Sequence, residues 1–300
     1  MRGDGIIRVI GVWGLAGMIF AGGCGDGKKR GNATAAKTEI AATQRELPLP
    51  SVPDSITDPE ERAAYAAGHF WDALDVADHS QSLDTAFMGQ AFANFIVLLP
   101  YTSEEAREKA VGAFAERCAE DLAAYDFAVY ISRYYLDEPN SPMRNEELFI
   151  PFLRKFSTDP RLSEATRERS KFRLEQALKN RPGTKAADVR MITREGQTTT
   201  LLRELSDTTL VLFYDYDCEH CKETIGRLQD PAFALPYPVI AIEATEQREG
   251  WDATKGEMPA NWKVCFATES LDGEAYYFPA LPSAYLLTGD GKVIVKDGAL

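Results

Sequence analysis

The stretch TLVLFYDYDCEHC, from Thr209 to Cys221, joins a short apolar run to a pair of cysteines. Its beginning, Thr209–Tyr214, has the composition of a strand buried in the centre of a sheet. Two residues separate Cys218 from Cys221, and at that spacing both thiols fit on the first turn of a helix and can close a small disulfide. The stretch therefore predicts a buried strand, a dithiol and a helix, in that order.

A cysteine at the start of a helix is well placed for thiol chemistry. Unpaired backbone N–H groups and the helix dipole stabilise a thiolate there, and the thiolate is the reactive form of cysteine. A protonated His220 adds to this stabilisation and Glu219 opposes it, so the sequence leaves the direction of the net effect open. We expect Cys218 and Cys221 to be the catalytic pair, with Glu219 and His220 tuning their reactivity.

The residues on both sides of this stretch alternate between short strands and turns. The turn TGDG at Thr288–Gly291 separates the last two expected strands. The expected strands are 189–193, 198–202, 209–214, 238–242, 262–264, 285–287 and 293–295. This order predicts an α/β domain over residues 184–300.

From about residue 187 to residue 298 the chain resembles the thioredoxin-like fold, in particular the membrane-tethered thiol–disulfide oxidoreductases related to TlpA and ResA. The resemblance is carried by the strand, the CEHC motif and the segment LPSAYLL at Leu281–Leu287. It implies a central mixed sheet flanked by helices. It also implies a cis peptide bond at Pro282, opposite the dithiol, with the backbone of Leu281 presented to a substrate strand.

The same resemblance implies a reaction and its partners. Cys218 attacks a substrate disulfide, and Cys221 resolves the mixed disulfide that results. The expected partners are proteins with disulfides or thiols, together with an electron donor or acceptor that this chain does not contain. No cofactor and no metal are expected at the site.

Two positions depart from the thioredoxin pattern. Asp217 replaces the aromatic residue that often precedes the first cysteine, and a carboxylate directed at Cys218 raises the pKa of a thiol. Leu212 occupies the place of the buried carboxylate that many thioredoxins carry on the preceding strand. Proton transfer to Cys221 is then expected to use water, Glu223 or a more distant group.

Residues 55–183 are expected to form an all-helical domain. A DPEE segment at 58–61 carries the cap and the proline of a helix start, and another apolar stretch ends before Pro100. Apolar residues spaced by threes and fours from Val111 to Val129 indicate one bent helix or a helix pair. Further helices are expected to start at Thr102, near residue 144 and at Ser163. This half resembles the front half of certain Gram-negative lipoproteins whose back half is thioredoxin-like, a resemblance that does not specify its function.

The N-terminus is expected to be a lipoprotein signal. Fifteen uncharged residues, Val9–Gly23, follow a short basic segment and end in small residues before Cys24. This pattern resembles a bacterial lipobox, so residues 1–23 are the expected signal peptide, Cys24 the lipidated residue and 24–54 a flexible tether to the bilayer. By the same resemblance, Gly25 favours an extracytoplasmic chain anchored in the outer membrane and facing the periplasm. A plain secretory signal or an uncleaved anchor are the alternatives.

The composition excludes some classes of protein. With 45% hydrophobic and 26% charged residues, the chain is typical of a folded protein and not of a disordered one. A formal net charge of -13 repels phosphate backbones, so nucleic acid is not expected as a partner.

Other interpretations of the dithiol stay open. Cys218 and Cys221 could form a static disulfide or half of a zinc site, although the sequence offers no further ligands at matching spacing. A peroxidase is disfavoured because Asp215 stands where Thr or Ser is expected. A binding or scaffold lipoprotein with a redox-inert thioredoxin-like module is the alternative from another class. Cys118 and Cys265 are expected to be buried free thiols, and the sequence does not decide whether they pair.

Overall fold

The computed structural model describes residues 46–230, 232–233 and 235–297, which belong to the unit Gln44–Leu300. The expected signal peptide, Cys24 and most of the expected tether lie outside the described residues. Leu47 belongs to the expected tether but is buried in the helical core, so the packed part of the chain begins before residue 55. None of the described helices is long and apolar enough to cross a membrane.

Helices make up the N-terminal half of the described chain. They are α1 (Pro59–Gly68), α2 (His79–Ser82), α3 (Thr85–Leu98), α4 (Glu104–Cys118), α5 (Leu122–Leu136), α6 (Glu146–Thr158) and α7 (Glu164–Ala177). The apolar stripe predicted between Val111 and Val129 is divided between α4 and α5 at Asp121, whose carboxylate accepts the N–H of Ala124 at 2.9 Å. The helix pair is therefore correct, and the single bent helix is wrong.

Side chains that accept backbone N–H groups decide where several helices begin. Asp58 and Ser163 cap α1 and α7, as predicted, and each accepts the N–H three residues ahead, at 3.0 and 3.1 Å. The cap of α4 is Ser103 and not the predicted Thr102. The hydroxyl of Thr102 donates instead to the carbonyl of Leu99 at 2.8 Å, inside the turn that ends the preceding segment.

Aromatic side chains fill the core of the helical half. Phe114 of α4 is 0% exposed, and its ring centroid lies 4.6 Å from that of Trp71 and 5.9 Å from that of Phe152. Aromatic pairs at such distances stabilise a core beyond the burial of their apolar area. The aromatic residues of this half therefore serve packing.

Strands form one mixed sheet in the C-terminal half. They are β1 (Arg190–Thr193), β2 (Thr198–Thr200), β3 (Thr209–Tyr214), β4 (Val239–Glu243), β5 (Lys263–Ala267), β6 (Ser283–Leu287) and β7 (Val293–Val295). Their order in the sheet is β2-β1-β5-β4-β3-β6-β7. β3, β4 and β5 run parallel, and β6 is antiparallel to β3. A helical half followed by a mixed sheet with helices is the predicted fold class, with the buried β3 inside the sheet.

Three further helices accompany the sheet: α8 (Leu201–Glu204), α9 (Glu219–Gln229) and α10 (Arg248–Thr254). α9 follows β3, as predicted. α8 replaces the end of the second strand expected at 198–202, because the chain turns into a helix at the buried Leu201. The sequence pattern does not predict α10, a short helix in which the buried side chain is that of Trp251.

Buried charges join the helical half to the end of the sheet. The ammonium group of Lys296, just after β7, donates to the carbonyls of Ala177 and Lys179 at 3.1 and 2.7 Å and pairs with Glu146. Ala177 ends α7, where carbonyl groups lack partners within the helix. The boundary predicted at residue 183 falls between α7 and β1.

Replacing Phe114 with alanine is expected to destabilise the protein by about 3–5 kcal/mol, because a core relaxes only in part around the cavity that is left. Urea unfolding followed by circular dichroism measures the change. Tyr101→Ala is the control, since Tyr101 is 69% exposed. Its loss should change the free energy of unfolding by less than about 0.5 kcal/mol. Equal effects of the two substitutions would contradict a core centred on Phe114.

Candidate active site

Cys218 lies where the segment after β3 enters α9. The segment Asp215–Asp217 connects the buried strand to it. The Cys218 sulfur accepts the backbone N–H of Cys221 at 3.4 Å and so caps the helix. The first turn of a helix offers N–H groups without intrahelical partners, and here a half-buried sulfur takes the place of the usual oxygen cap.

Cys221 follows on the first turn of α9 and is sealed from solvent. It is 0% exposed and lies in the core cluster that contains Leu212, Ile225 and Ala284. Burial raises the pKa of the Cys221 thiol to about 12, and a hydrogen bond from the N–H of Asp215 opposes this increase. The pair therefore consists of one accessible thiol and one protected thiol, and both are free.

The segment before β6 lies against the accessible sulfur. The peptide bond between Leu281 and Pro282 is cis, as the resemblance implies, and the Cys218 thiol lies 3.8 Å from the Leu281 carbonyl oxygen. β6 pairs with β3, with Ser283 opposite Phe213, which brings the segment to the edge of the sheet where the dithiol stands. The structure thus brings Leu281 and Pro282 together with Cys218.

A buried polar contact ties this segment to the helical half. The hydroxyl of Ser283 donates to Oδ1 of Asp297 at 2.8 Å, and the same carboxylate pairs with Arg144. Ser283 is fully buried, and the side chains of Arg144 and Asp297 are 19% and 16% exposed. Removing one partner from such a site leaves a poorly solvated polar group, so the contact restrains the residue that follows Pro282.

The loop that leads to Leu281 also rests on the end of the helical half. The amide of Asn180, just after α7, donates to the carbonyl of Ala275 at 2.9 Å. The guanidinium group of Arg173 lies 4.9 Å from the ring centroid of Tyr277, a cation–π geometry. Helical residues therefore hold the chain on both sides of the Leu281–Pro282 bond.

Glu219 and His220, the residues between the cysteines, are exposed on the first turn of α9. Glu219 pairs with Lys222 at 2.8 Å, and Nδ1 of His220 lies 3.9 Å from Oε2 of Glu223. The Glu223 side chain is 80% exposed, so it does not serve as a buried carboxylate. The tuning roles of Glu219 and His220 stay predictions.

A buried carboxylate that sequence reasoning does not identify lies beneath the site. Glu243 ends β4 and is 0% exposed. Its Oε2 accepts the N–H of Tyr216 at 2.8 Å, and its Oε1 accepts the N–H and the hydroxyl of Thr245 at 3.0 and 2.7 Å. Burial raises the pKa of Glu243 to about 7. The sequence signal is a single carboxylate that ends the apolar run 239–242, on the strand beside that of Leu212.

Cys118 and Cys265 are free thiols in different cores. Cys118 belongs to the helical core and Cys265 to the sheet core, and both are 0% exposed. Burial raises the pKa of each thiol to about 12. They do not pair with each other. Within residues 46–230, 232–233 and 235–297, no group of three or more His, Cys, Asp or Glu side chains could hold a metal ion.

A mixed sheet, a Cys-x-x-Cys pair at the start of the helix after β3 and a cis-proline segment facing the first sulfur define a thioredoxin-like protein. More particularly, the chain belongs to the family described as "Domain of unknown function (DUF5106)", whose model matches residues 23–180. The family description therefore applies to the part of the chain that includes the helical half, and it states no activity. A comparison with curated proteins finds no match.

Solved structures agree with the fold. A thioredoxin-like protein from Bacteroides caccae is 29% identical, with 84% of this chain and 94% of that chain covered and a TM-score of 0.75. The C-terminal domain of an uncharacterized protein from Bacteroides fragilis is 26% identical over 40% of this chain and 92% of its own, with a TM-score of 0.38. The thioredoxin domain of a thiol-disulfide oxidoreductase from Bacteroides vulgatus is 16% identical over 40% of this chain and 90% of its own, with a TM-score of 0.31. The first likeness extends over both halves of the described chain.

In the reduced, folded protein we expect iodoacetamide to alkylate Cys218 well before Cys221. Cys218 is half-buried, whereas Cys221 is sealed and its pKa is raised to about 12. Mass spectrometry of peptides taken at successive times measures the order. Cys118 and Cys265 are internal controls, because they are equally buried and should react as slowly as Cys221. Modification of Cys221 at the rate of Cys218 would contradict the structure.

Proposed function

We propose that this protein is a thiol–disulfide oxidoreductase that exchanges disulfides with protein substrates outside the cytoplasm. The observation that carries the proposal is a half-buried Cys218 sulfur that caps α9, faces the Leu281 carbonyl and has the sealed Cys221 thiol on the same turn. The likeness in fold to a thioredoxin-like protein supports the same class of reaction. No bound cofactor is needed, because the two sulfurs carry the electrons.

The exchange takes place in two steps. The Cys218 thiolate attacks one sulfur of a substrate disulfide, the substrate S–S bond breaks, and one substrate thiolate leaves. Cys221 then attacks the Cys218 sulfur of the mixed disulfide, the bond between Cys218 and Cys221 forms, and the second substrate thiolate leaves. The substrate gains two electrons and the dithiol loses two. A separate electron donor restores the dithiol, or an acceptor restores the disulfide when the reaction runs in reverse.

Leu281 and Pro282 are the proposed substrate-binding residues. A substrate strand in extended conformation can donate a backbone N–H to the Leu281 carbonyl, which lies 3.8 Å from the attacking sulfur. Beside the dithiol, a cavity of about 320 Å³ lined by Tyr216, Lys222 and Met258, among others, offers room for a substrate side chain. Backbone recognition of this kind suits several protein substrates.

We also propose that lipid on Cys24 anchors the chain in the outer membrane, facing the periplasm. The support is the sequence pattern, in which an uncharged stretch and small residues precede Cys24. Acyl chains on that residue give membrane affinity through their buried methylene groups, so the acidic folded part needs no contact with the bilayer. The dithiol would then meet proteins of an oxidising compartment, where disulfide exchange is needed.

Replacing either cysteine should separate the two steps of the exchange. We expect Cys218→Ser to lower the rate of reduction of a model disulfide to the uncatalysed rate, because the attacking sulfur is lost. Cys221→Ser should accumulate mixed disulfides, because the resolving sulfur is lost. Insulin reduction and non-reducing gels measure the two effects.

Cys118→Ala is the matched control, since Cys118 is buried in the helical core and should leave the rate unchanged. If wild type and Cys218→Ser reduce the model disulfide equally poorly, the enzyme proposal is wrong, and a redox-inert binding or scaffold lipoprotein is the better description.

Replacing Cys24 tests the anchor. We expect the wild-type chain to take up radiolabelled fatty acid and to sediment with outer membranes, and we expect Cys24→Ala to lose both properties, because the acylated sulfur is gone. Membrane fractionation and labelling in a Gram-negative host measure them. A variant that still sediments with membranes would indicate an uncleaved anchor, and a wild-type chain that stays in the soluble periplasm would indicate a plain secretory signal.

A further inference from the structure

Glu243 is a buried carboxylate without a cationic partner among the described residues. It is 0% exposed, and its hydrogen-bond partners are the neutral groups of Tyr216 and Thr245. The other buried carboxylate of the described chain, Asp159, pairs with Arg161 and Lys155. Burying a carboxylate without a counter-charge is unfavourable, and such groups occur preferentially at functional sites.

The sheet places Glu243 on the face that carries the resolving thiol. β3 and β4 run parallel with Tyr214 opposite Glu243, so both strands end at the edge where the dithiol stands. Successive side chains of a strand alternate between faces, so Glu243 and Ala241 share one face. Ala241 and Cys221 belong to the same core cluster.

Two consecutive backbone amides connect the carboxylate and the thiol. The N–H of Asp215 hydrogen-bonds to the Cys221 sulfur, and the N–H of Tyr216 donates to Glu243 at 2.8 Å. The Asp215 carboxylate acts on both groups, because its charge raises the pKa of each. Cys221 and Glu243 therefore surround the same two-residue segment, on the side that solvent does not reach.

From this placement we propose that Glu243 holds the proton that Cys221 gives up when it resolves the mixed disulfide. The proposal rests on the proposed function of the dithiol and names a residue for its second step. It also replaces the expectation that this proton passes to Glu223, which is exposed.

The proposed step balances as follows in atoms and electrons. The Cys221 sulfur attacks the Cys218 sulfur, the new S–S bond forms, and the bond between Cys218 and the substrate sulfur breaks with its electron pair on the leaving thiolate. The thiol proton of Cys221 passes to the ionised Glu243 carboxyl as the bond forms. Glu243 later returns the proton to solvent, and the leaving thiolate takes one up.

The electrostatics of the site fit this role. Burial, and then the charge of Asp215, raise the pKa of Glu243 to about 7, whereas the donors from Thr245 and Tyr216 lower it. A base works best when its pKa lies near the working pH. Cys221, with a pKa of about 12, has almost no thiolate of its own at that pH and needs an acceptor for its proton.

Other groups around Glu243 do not change charge near pH 7. The charged and titratable side chains on the elements packed around it are Tyr214, Asp215, Cys221, Cys265, Arg194 and Arg248. Burial raises the pKa of Tyr214, Cys221 and Cys265, which stay neutral, and the two arginines stay charged. Protonation of Glu243 below about pH 7 removes the acceptor, so the second step should slow as the pH falls through that value.

Stopped-flow mixing of the reduced full-length chain with dithiobis(nitrobenzoate) tests the proposal. Attack by Cys218 releases the first coloured thiolate, and attack by Cys221 releases the second. In wild type, we expect the rate of the second release to rise with pH through a midpoint near 7. In Glu243→Gln, which keeps a hydrogen-bond acceptor, we expect the second release to slow by about 10²-fold at pH 8 and to lose that midpoint. The first release should keep its rate.

Glu243→Asp is the conservative control, since it retains a carboxyl group and should restore a titration in the second release. Thermal unfolding of the three proteins checks that the fold is kept. A second release in Glu243→Gln with the wild-type rate and midpoint, or a loss shared equally by both releases, would overturn the role of Glu243. A wild-type chain that releases no second thiolate, or Cys221→Ser that still releases one, would instead overturn the proposed function and this step with it.

Discussion

The start of α9 needs a group that accepts its unpaired N–H donors, and in this chain that group is a sulfur. Cys218 meets the requirement by accepting the N–H of Cys221 at 3.4 Å. The same contact holds the first sulfur at the surface and places the second inside the core beside Leu212. The position of the helix start is itself set by β3, a strand buried along its whole length. The two thiols therefore differ in accessibility because of backbone geometry.

The other side of the site is supplied by pairing between strands and by the helical half. Antiparallel pairing of β3 with β6 brings the Leu281 carbonyl to within 3.8 Å of the Cys218 sulfur. Ser283 then connects through Asp297 to Arg144, and Lys296 closes the end of α7. Because these partners are largely buried, the helical half acts as a rigid support for the substrate-binding segment. The part of the chain in a family without a stated activity thus has a structural role next to the dithiol.

Features encoded by local pattern could be predicted from the sequence, and features that depend on distant pairing could not. β3, the dithiol and α9 follow from an apolar run and the spacing of two cysteines, and Pro282 follows from resemblance. The cap of α4 differs by one residue because Thr102 and Ser103 carry equivalent hydroxyls, and the tertiary contact to Leu99 decides between them. Glu243 escapes prediction because one carboxylate at a strand end is usually solvated. Only the register of β3 with β4 buries it beneath the site.

A redox titration of the Cys218–Cys221 pair decides most directly whether the arrangement at the start of α9 is a working dithiol. The protein is equilibrated in thiol–disulfide buffers of graded potential, and the loss of two hydrogens is followed by mass spectrometry of the peptide that contains both cysteines. We predict a single reversible two-electron transition between about -270 and -120 mV, the range spanned by thioredoxin-like exchange proteins. A pair that stays reduced throughout, or a disulfide that persists below about -300 mV as structural bridges do, would contradict this interpretation of the structure.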